Sequence, residues 1–391
     1  MKNKTKIVLF NLALLAAVGC APVYLSRPGG RGIVLVRVAL FHNLPQAAVA
    51  GPDTVWVSDA AHRTALAPGD CWTVTVSGGS LAAATSRGTA VAGIAGPLKA
   101  WSKAGVLVNG RRVKAIELLP DSAGVLAVAE LPLEDYLAGV VNAELGMAKP
   151  DEIEAAKAQA VASRSYAYAR LGSRPGAGYD LESSVSDQAF DPDRPINPVV
   201  QQAVRQTEGQ VLTCNGSVVA ANYHSCCGGQ TSFASEVWNA QDKDFPYIKS
   251  VADSYCKASP KYSWHDTIAA SDISAKLFGP SVAIRDIAIA QKGPSYRAVA
   301  LKISSATGDT ALYKDRIRSG LTNHTLPSTK FDLSLHKDGA GDVDTVFLRG
   351  FGNGHGVGMC QWGAIGMARA GKSYVRILKH YYKDIRIEKL Y

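Results

Sequence analysis

Several features that define whole protein classes are scarce or missing. The chain has seven cysteines in 391 residues, no Cys-x-x-Cys pair, no internal repeat and no low-complexity tract. The six cysteines beyond the N-terminal segment are too few for a scaffold built on disulfides. Basic runs interleaved with aromatic residues are absent as well, so no nucleic-acid partner is expected.

The composition that remains is that of an ordinary folded protein with excess positive charge. Hydrophobic residues make up 47% of the chain and charged residues 19%, which separates it from disordered proteins. The net charge of +9 suits an anionic partner such as a cell-wall polymer or a membrane surface. The length allows two or three domains.

The N-terminus predicts export from the cytoplasm. A cationic MKNKTK precedes an apolar run of twelve residues, Ile7 to Val18, which is too short for a comfortable transmembrane helix and suits a signal peptide. Small residues then precede Cys20, as in a lipoprotein cleavage box, so Cys20 is a candidate for lipidation. Plain secretion and an uncleaved anchor are the alternatives. We expect the chain in the periplasm or cell envelope, with membrane contact only through this anchor.

The remaining pattern favours an α+β fold, with irregularly mixed strands and helices around a substrate groove. We expect a signal peptide at 1–20, a small β-rich region at 21–105 and a larger mixed region at 106–391. Short β segments with Gly, Pro, Asp and Ser between them fill the β-rich region. The clearest helix of the mixed region starts at Pro150–Asp151 and stops at Gly172.

Three charged residues near this helix are candidates for chemistry. Glu144 has apolar neighbours, and a carboxyl with little water has a raised pKa and can act as a general acid; a solvated carboxylate in a turn is the alternative. Lys157 and Arg164 are seven residues apart on one stripe of the helix. They could bind an anionic substrate, hold the Glu144 region in shape, or lie on the surface.

The stretch YHSCCGGQTS places a histidine and two cysteines within four residues, and Cys256 follows later. His224, Cys226 and Cys256 could hold a structural zinc ion. Adjacent cysteines lack the spacing that is typical of zinc sites, so a disulfide from Cys226 or Cys227 to Cys256 is the alternative.

The stretch NGHGVGMCQWGA sets His355 and Gln361 among four glycines. Such a stretch either brings backbone close to a ligand, with both side chains offering hydrogen bonds, or packs a tight turn. A thiol nucleophile at Cys360 is disfavoured because no orienting acid or oxyanion hole is recognisable nearby. It would require inactivation by alkylation and indifference to Glu144→Gln.

Five stretches, taken together, resemble a known family. In chain order they match the motifs of the SpoIID/LytB family, which is named for a stage II sporulation protein that degrades peptidoglycan and for an amidase enhancer: LPLEDYLAGVVNAELG, EAAKAQAVASRSYAYA, SDQAF, YHSCCGGQTSFASEVW and GHGVGMCQWGA. The resemblance covers roughly residues 105 to 391, and identifies the 106–391 region as a SpoIID-like catalytic domain.

The resemblance implies a peptidoglycan lytic transglycosylase. Such an enzyme cleaves the β-1,4 bond between N-acetylmuramic acid and N-acetylglucosamine without adding water, and it favours strands stripped of stem peptides. The family's catalytic glutamate falls on Glu144. Lys157, Arg164, His355 and Gln361 would position sugars and the lactyl carboxylate, and no cofactor is required. The family usually has Ser at the position of Cys360, which argues against a role for this thiol.

A function of another class stays open. The chain could bind glycan without cleaving it and stimulate a separate N-acetylmuramoyl-L-alanine amidase, as the enhancer in the family name suggests. Peptidoglycan strands are the expected partner in both cases, with a cell-wall amidase as a second partner in this one.

Overall fold

The structure, a computed structural model, describes residues 32–86, 89–91, 96–146 and 148–391. The predicted signal peptide and Cys20 lie outside the described residues. No helix in these ranges is both long and apolar enough to cross a membrane.

Strands outnumber helices. The strands are β1 (Leu35–Leu44), β2 (Ala47–Ala50), β3 (Val55–Ser58), β4 (Arg63–Leu66), β5 (Cys71–Ser77), β6 (Ser80–Thr85), β7 (Ala90–Val91), β8 (Leu98–Val108), β9 (Arg111–Pro120), β10 (Val125–Pro132), β11 (Leu181–Glu182), β12 (Gln210–Cys214), β13 (Ser217–Val218), β14 (Tyr223–His224), β15 (Ser263–Ala269), β16 (Ile284–Lys292), β17 (Ala298–Ser305), β18 (Gly308–Tyr313), β19 (Phe331–Lys337), β20 (Val343–Phe351), β21 (Met359–Cys360) and β22 (Arg386–Lys389). The helices are α1 (Leu133–Leu145), α2 (Ile153–Arg170), α3 (Pro198–Gln206), α4 (Ala270–Leu277), α5 (Arg316–Gly320), α6 (Gln361–Arg369) and α7 (Tyr374–Tyr381).

An eleven-stranded sheet forms the first layer, in the order β11-β1-β10-β9-β8-β2-β5-β6-β7, with β3 against β8 and β4 against β3. Neighbours are antiparallel except β1 and β11. The sequence Asn109-Gly110 joins β8 to β9, as the hairpin preference of this dipeptide predicts.

The structure differs from the expected division at residue 105, because this residue lies inside β8. The β9 and β10 strands, which belong to the expected second region, pair with β8 and β1 of the first. The β-rich region therefore extends through Pro132 as one sheet. The sequence showed the alternation of each strand, but it did not show which strands pair.

The α2 helix lies between two hydrophobic cores. Ala156, Ala160 and Ala167 pack with the eleven-stranded sheet and α1. Ala155, Ala158 and Ala162 pack into a second core with α6 and α7. Small side chains on both faces allow close packing on each side, which explains the alanine-rich sequence of the helix.

A six-stranded sheet forms a third unit with its own core. Its order is β15-β20-β16-β17-β18, with β19 also against β20, and α4 and α5 pack on it. Two smaller sheets, β13-β12-β22 and β14-β21, hold the second core together. Separate, mainly antiparallel sheets with irregularly placed helices confirm the predicted α+β class.

Candidate functional site

A cleft of about 850 Å³ lies where the α1 and α2 helices, the glycine-rich loop and the third unit meet. Four aromatic side chains, two arginines and three carboxylates face it: Tyr166, Tyr223, Trp238, Phe245, Arg170, Arg318, Glu144, Asp187 and Asp315. Aromatic faces and charged groups in a cleft of this size suit a polar ligand with apolar faces, such as a sugar.

Glu144 reaches the cleft from the last turn of α1. Leu137, Val140 and Val141 bury one face of this helix, and Gly146 ends it. The Gln361 amide donates a hydrogen bond to Oε2 of Glu144 at 2.9 Å. The backbone N–H of Ala189 donates to Oε1 at 3.0 Å. These donors fix the carboxyl group at the cleft wall.

Burial raises the pKa of the Glu144 carboxyl above its ordinary value. Hydrogen bonds from Gln361, Ala189 and the Tyr223 hydroxyl offset part of this effect. The end of a helix also disfavours a negative charge. The result is a carboxyl that keeps its proton to higher pH than an exposed glutamate does, as a general acid requires.

Two side chains behind Glu144, Gln188 and through it Tyr136, hold the Tyr223 hydroxyl in place. Gln188 donates from its amide to this hydroxyl at 2.9 Å and accepts from the Tyr136 hydroxyl at 3.1 Å. Gln188 and Tyr136 are fully buried. The SDQAF stretch thus supplies a buried amide that orients a donor to Glu144.

His355 lies at the cleft, but backbone groups occupy both of its ring nitrogens. The Val357 N–H donates to Nδ1 at 3.1 Å, so Nε2 carries the hydrogen and donates to the Tyr223 carbonyl at 2.9 Å. Burial lowers the pKa of His355 to about 3. This corrects the expectation that His355 binds sugar through hydrogen bonds, because the neutral ring instead holds the Tyr223 backbone and packs on Trp238.

The glycine-rich loop packs tightly against the segment that carries Tyr223. The β14 and β21 strands pair in parallel there, with Tyr223 opposite Met359. Gly358 has a φ of 75°, and a Cβ at this position would overlap the carbonyl oxygen of Asn222. The geometry therefore agrees with the packing alternative for this glycine, while Gln361 at the end of the loop faces the cleft.

Gln361 is the first residue of α6, and the preceding residue caps that helix. The Cys360 sulfur accepts a hydrogen bond from the Gly363 N–H at 3.3 Å. Cys360 itself is fully buried and does not line the cleft. A helix start with a fixed cap is a rigid position from which to hold the Glu144 carboxyl.

The other two carboxylates of the cleft have basic partners. Burial alone would raise the pKa of Asp187, but hydrogen bonds from Arg174, Glu182 N–H and the Tyr166 hydroxyl lower it overall. The Arg174 guanidinium lies 2.7 Å from this carboxylate. Asp315 pairs with Arg318 at 3.3 Å. Among the described cleft carboxyls, Glu144 is the one without a cationic partner.

The structure places Lys157 and Arg164 away from the cleft, which corrects the expectation that they contact substrate. Arg164 is fully buried and forms two 2.7 Å bonds to the Glu134 carboxylate. Lys157 pairs with Glu154 at 2.7 Å. Glu134 lies on α1, so Arg164 instead fastens the helix that carries Glu144. Arg170, one turn and a half further along α2, faces the cleft.

The potential metal ligands that lie close together are not those of the expected metal site. Cys227, Asp253, Cys256 and Cys360 have ligand atoms within 4.8 Å of one another, whereas Cys226 and His224 are not members of this group. His224 Nδ1 instead donates to the Val357 carbonyl at 3.2 Å. The alternative disulfide is not formed, because the six cysteines from Cys71 onward are free thiols.

A second cavity of about 270 Å³ lies on the far side of Glu144. Glu144, Ser225 and Gln361 line both spaces, and Trp362 and Lys149 line the second. Glu144 therefore lines two adjoining cavities.

Several cleft residues escaped the sequence reasoning. Arg170 and Arg318 lie outside the five family stretches, and nothing in the local sequence sets them apart. Tyr223 and Trp238 begin and end the stretch YHSCCGGQTSFASEVW, but no role was predicted for either of them. Gln188 lies in the SDQAF stretch, which is one of the five family motifs. The sequence alone could not predict that it is buried and positions Tyr223, because its hydrogen-bond partners are far away in the chain.

Comparisons with known proteins agree with this geometry. The profile of the Stage II sporulation protein family, SpoIID, matches residues 121–214. Stage II sporulation protein D of Bacillus subtilis is 33% identical over 281 residues, which is 67% of this chain and 76% of that protein. The chain belongs to the SpoIID family.

The SpoIID match spans α1, α2 and the SDQAF stretch, and therefore includes Glu144 and Gln188. A second profile, a domain of unknown function (DUF8618), matches residues 256–358 and covers the third unit. An uncharacterised protein of Brachyspira hyodysenteriae is 32% identical over 277 residues, 70% of this chain and 71% of that protein. An amidase enhancer of Bacillus subtilis is 28% identical over 275 residues, 59% of this chain but 37% of the enhancer.

Proposed function

We propose that this SpoIID protein is a peptidoglycan lytic transglycosylase in which Glu144 is the acid and then the base. The observation that carries the proposal is a half-buried carboxyl with raised pKa that lines two adjoining cavities and is held by Gln361 and the Ala189 N–H. Asp187 and Asp315 are each paired with an arginine. This supports the proposal further, because ordinary glycosidases use two catalytic carboxyls and Glu144 would act alone.

The chemistry needs a single carboxyl. The Glu144 proton passes to the glycosidic oxygen as the bond between that oxygen and C1 of the muramic acid breaks. The C6 hydroxyl of the same sugar then bonds to C1, and its proton passes to the Glu144 carboxylate, which restores the acid. The product ends in a 1,6-anhydro ring, and no water is consumed.

The two cavities would bind the sugars on either side of the broken bond. The larger cleft offers Trp238, Phe245 and Tyr166 for stacking against sugar faces. Arg170 and Arg318 replace Lys157 and Arg164 as the cations that bind the lactyl carboxylate. The smaller cavity, with Trp362, takes the strand beyond Glu144.

The N-terminal prediction and the family membership both support a location of this activity in the cell envelope. The sequence of residues 1–20 supports export, and lipidation at Cys20 would keep the enzyme at a membrane surface. The net charge of +9 favours an anionic wall polymer as the substrate.

The alternative proposal is a glycan-binding enhancer of a cell-wall amidase. The similarity to a protein named amidase enhancer favours it. In that case, the cleft binds strands and the amidase supplies the cleavage. A half-buried, hydrogen-bonded carboxyl at the cleft wall favours the enzyme, because binding alone gains nothing from a raised pKa.

One experiment separates the two functions. Purified protein is incubated with glycan strands that lack stem peptides, beside Glu144→Gln and the control Glu208→Gln, an exposed residue outside the cleft. We expect 1,6-anhydro ends by mass spectrometry from the parent and the control, and a rate lower by about 10² to 10⁴-fold in Glu144→Gln. Binding without cleavage by the parent protein would favour the enhancer.

A further inference from the structure

A compact group of four potential ligands lies beside the start of α6. The Sγ atoms of Cys227, Cys256 and Cys360 and an oxygen of Asp253 all lie within 4.8 Å of one another. All four residues are at most 2% exposed. The Cys227 and Cys256 sulfurs are 3.6 Å apart, and the Cys227 sulfur is 3.3 Å from Oδ2 of Asp253.

These separations agree with one tetrahedral ion. Zinc–sulfur bonds of about 2.3 Å place two ligands of a tetrahedron roughly 3.8 Å apart. The group has four ligand atoms and is closed to solvent, which is the form of a structural site rather than a catalytic one. Thiolates with one carboxylate suit zinc, whereas calcium and magnesium prefer all-oxygen sites.

The surroundings of the ligands are those of a thiolate site. The Cys360 sulfur accepts hydrogen bonds from the Cys227 and Gly363 N–H groups, both at 3.3 Å. The Tyr381 hydroxyl donates to Oδ2 of Asp253 at 3.0 Å, and thereby orients the carboxylate. Gly363 leaves room for this contact, because a Cβ there would overlap both the Tyr381 hydroxyl and the Asp253 carboxylate.

Nearby cations balance the charge that such a site would carry. Arg297 is fully buried and forms no ion pair with any described residue, and its Nε and Nη2 atoms have no hydrogen-bond partner. The Lys330 ammonium donates to the carbonyl of Gly228, the residue next to Cys227, at 2.9 Å. An anionic metal site within electrostatic range of both groups offsets their positive charge.

From this geometry we propose that Cys227, Asp253, Cys256 and Cys360 bind one structural zinc ion. The ion joins three segments that are far apart in the chain, and one of its ligands directly precedes Gln361. It thereby fixes the start of α6, from which the Gln361 amide reaches Glu144. The site is distinct from the cleft, since none of its four ligands lines it.

The test is a metal and thiol measurement on the full chain. The protein is purified with zinc and a mild reductant, freed of loose metal, and analysed by elemental mass spectrometry. We expect about one zinc per chain, and alkylation of the three ligand thiols only after a strong chelator is added. Cobalt in place of zinc should give a thiolate charge-transfer band.

The zinc content of single-residue variants shows which residues are ligands. Cys256→Ser should lose stoichiometric zinc, whereas Cys214→Ser, a buried cysteine outside the group, should retain it. Tyr381→Phe should weaken zinc binding about tenfold while the fold persists. A parent protein that retains no zinc, or that shows a Cys227–Cys256 disulfide by peptide mass mapping, overturns the proposal. The cobalt band on the parent protein decides the matter if Cys256→Ser does not fold.

Discussion

Burial raises the pKa of the Glu144 carboxyl, and hydrogen bonds from three donors offset part of this rise. At the residue scale this balance sets the pH range of the proposed activity. The acid must hold its proton when substrate binds, so activity should fall as the pH rises through the Glu144 pKa.

Removing one of these hydrogen-bond donors should raise the pH at which activity is lost. Gln361→Leu takes away the 2.9 Å hydrogen bond that favours the ionised form of Glu144, so the pKa rises. We expect the alkaline limb of the kcat/KM profile on stripped glycan strands to shift to higher pH. The shift is independent of any general loss of rate, and a limb that stays in place or moves to lower pH contradicts this role for Gln361.

The sequence correctly indicated that Glu144 and Gln361 lie at the cleft, but it did not show the position of Arg164. An apolar neighbourhood and a glycine-rich motif are local signals, and both residues do lie at the cleft. For Arg164, the contact with Glu134 agrees with the alternative that it holds the Glu144 region in shape and not with substrate binding. Its helical stripe showed which face it is on, but not which partner it meets. That partner, Glu134, lies thirty residues earlier.

At the scale of elements, the Arg164–Glu134 pair fastens α2 to α1. The guanidinium also donates to the Gln210 carbonyl of β12 at 3.0 Å, and the Tyr391 hydroxyl donates to Glu134 at 2.6 Å. The Arg164–Glu134 pair therefore joins two helices, the β12 strand and Tyr391. Packing of this kind sets the position of α1 and, through it, of Glu144.

Breaking this pair should cost stability rather than substrate affinity. Arg164→Met leaves the Glu134 carboxylate without its cation, and we expect the free energy of unfolding to fall by on the order of 3 kcal/mol. Urea unfolding measures it. The matched change Lys157→Met removes a partly exposed pair and should cost less than about 1 kcal/mol. An Arg164→Met protein of unchanged stability but raised KM would restore the substrate role.

At the scale of the whole molecule, the eleven-stranded sheet and the site region form one packed body. The β10 strand leads directly into α1, and β1 also contacts this helix. Local patterns predicted the α+β class and the α2 helix. The continuity of the sheet across residue 105 depends on pairings such as β1 with β10, which lie some ninety residues apart and leave no mark in either strand's own sequence.

A chain that begins at residue 106 should therefore not fold. It would cut β8 and expose the edges of β9 and β10, which lose their partners β8 and β1. We expect aggregation or a non-cooperative thermal transition, whereas a chain that begins at residue 32 should unfold cooperatively. A stable, cooperative chain from residue 106 would restore the expected division into two independent regions.

The central claim is that Glu144 directs a cleavage that uses no water. Stripped glycan strands are therefore digested in heavy-oxygen water, and the new ends are weighed by mass spectrometry. We expect 1,6-anhydro ends without any heavy oxygen, formed about 10² to 10⁴-fold more slowly by Glu144→Gln. Reducing ends that carry the heavy oxygen would contradict the claim, because water would then be the nucleophile and a second carboxyl would have to activate it.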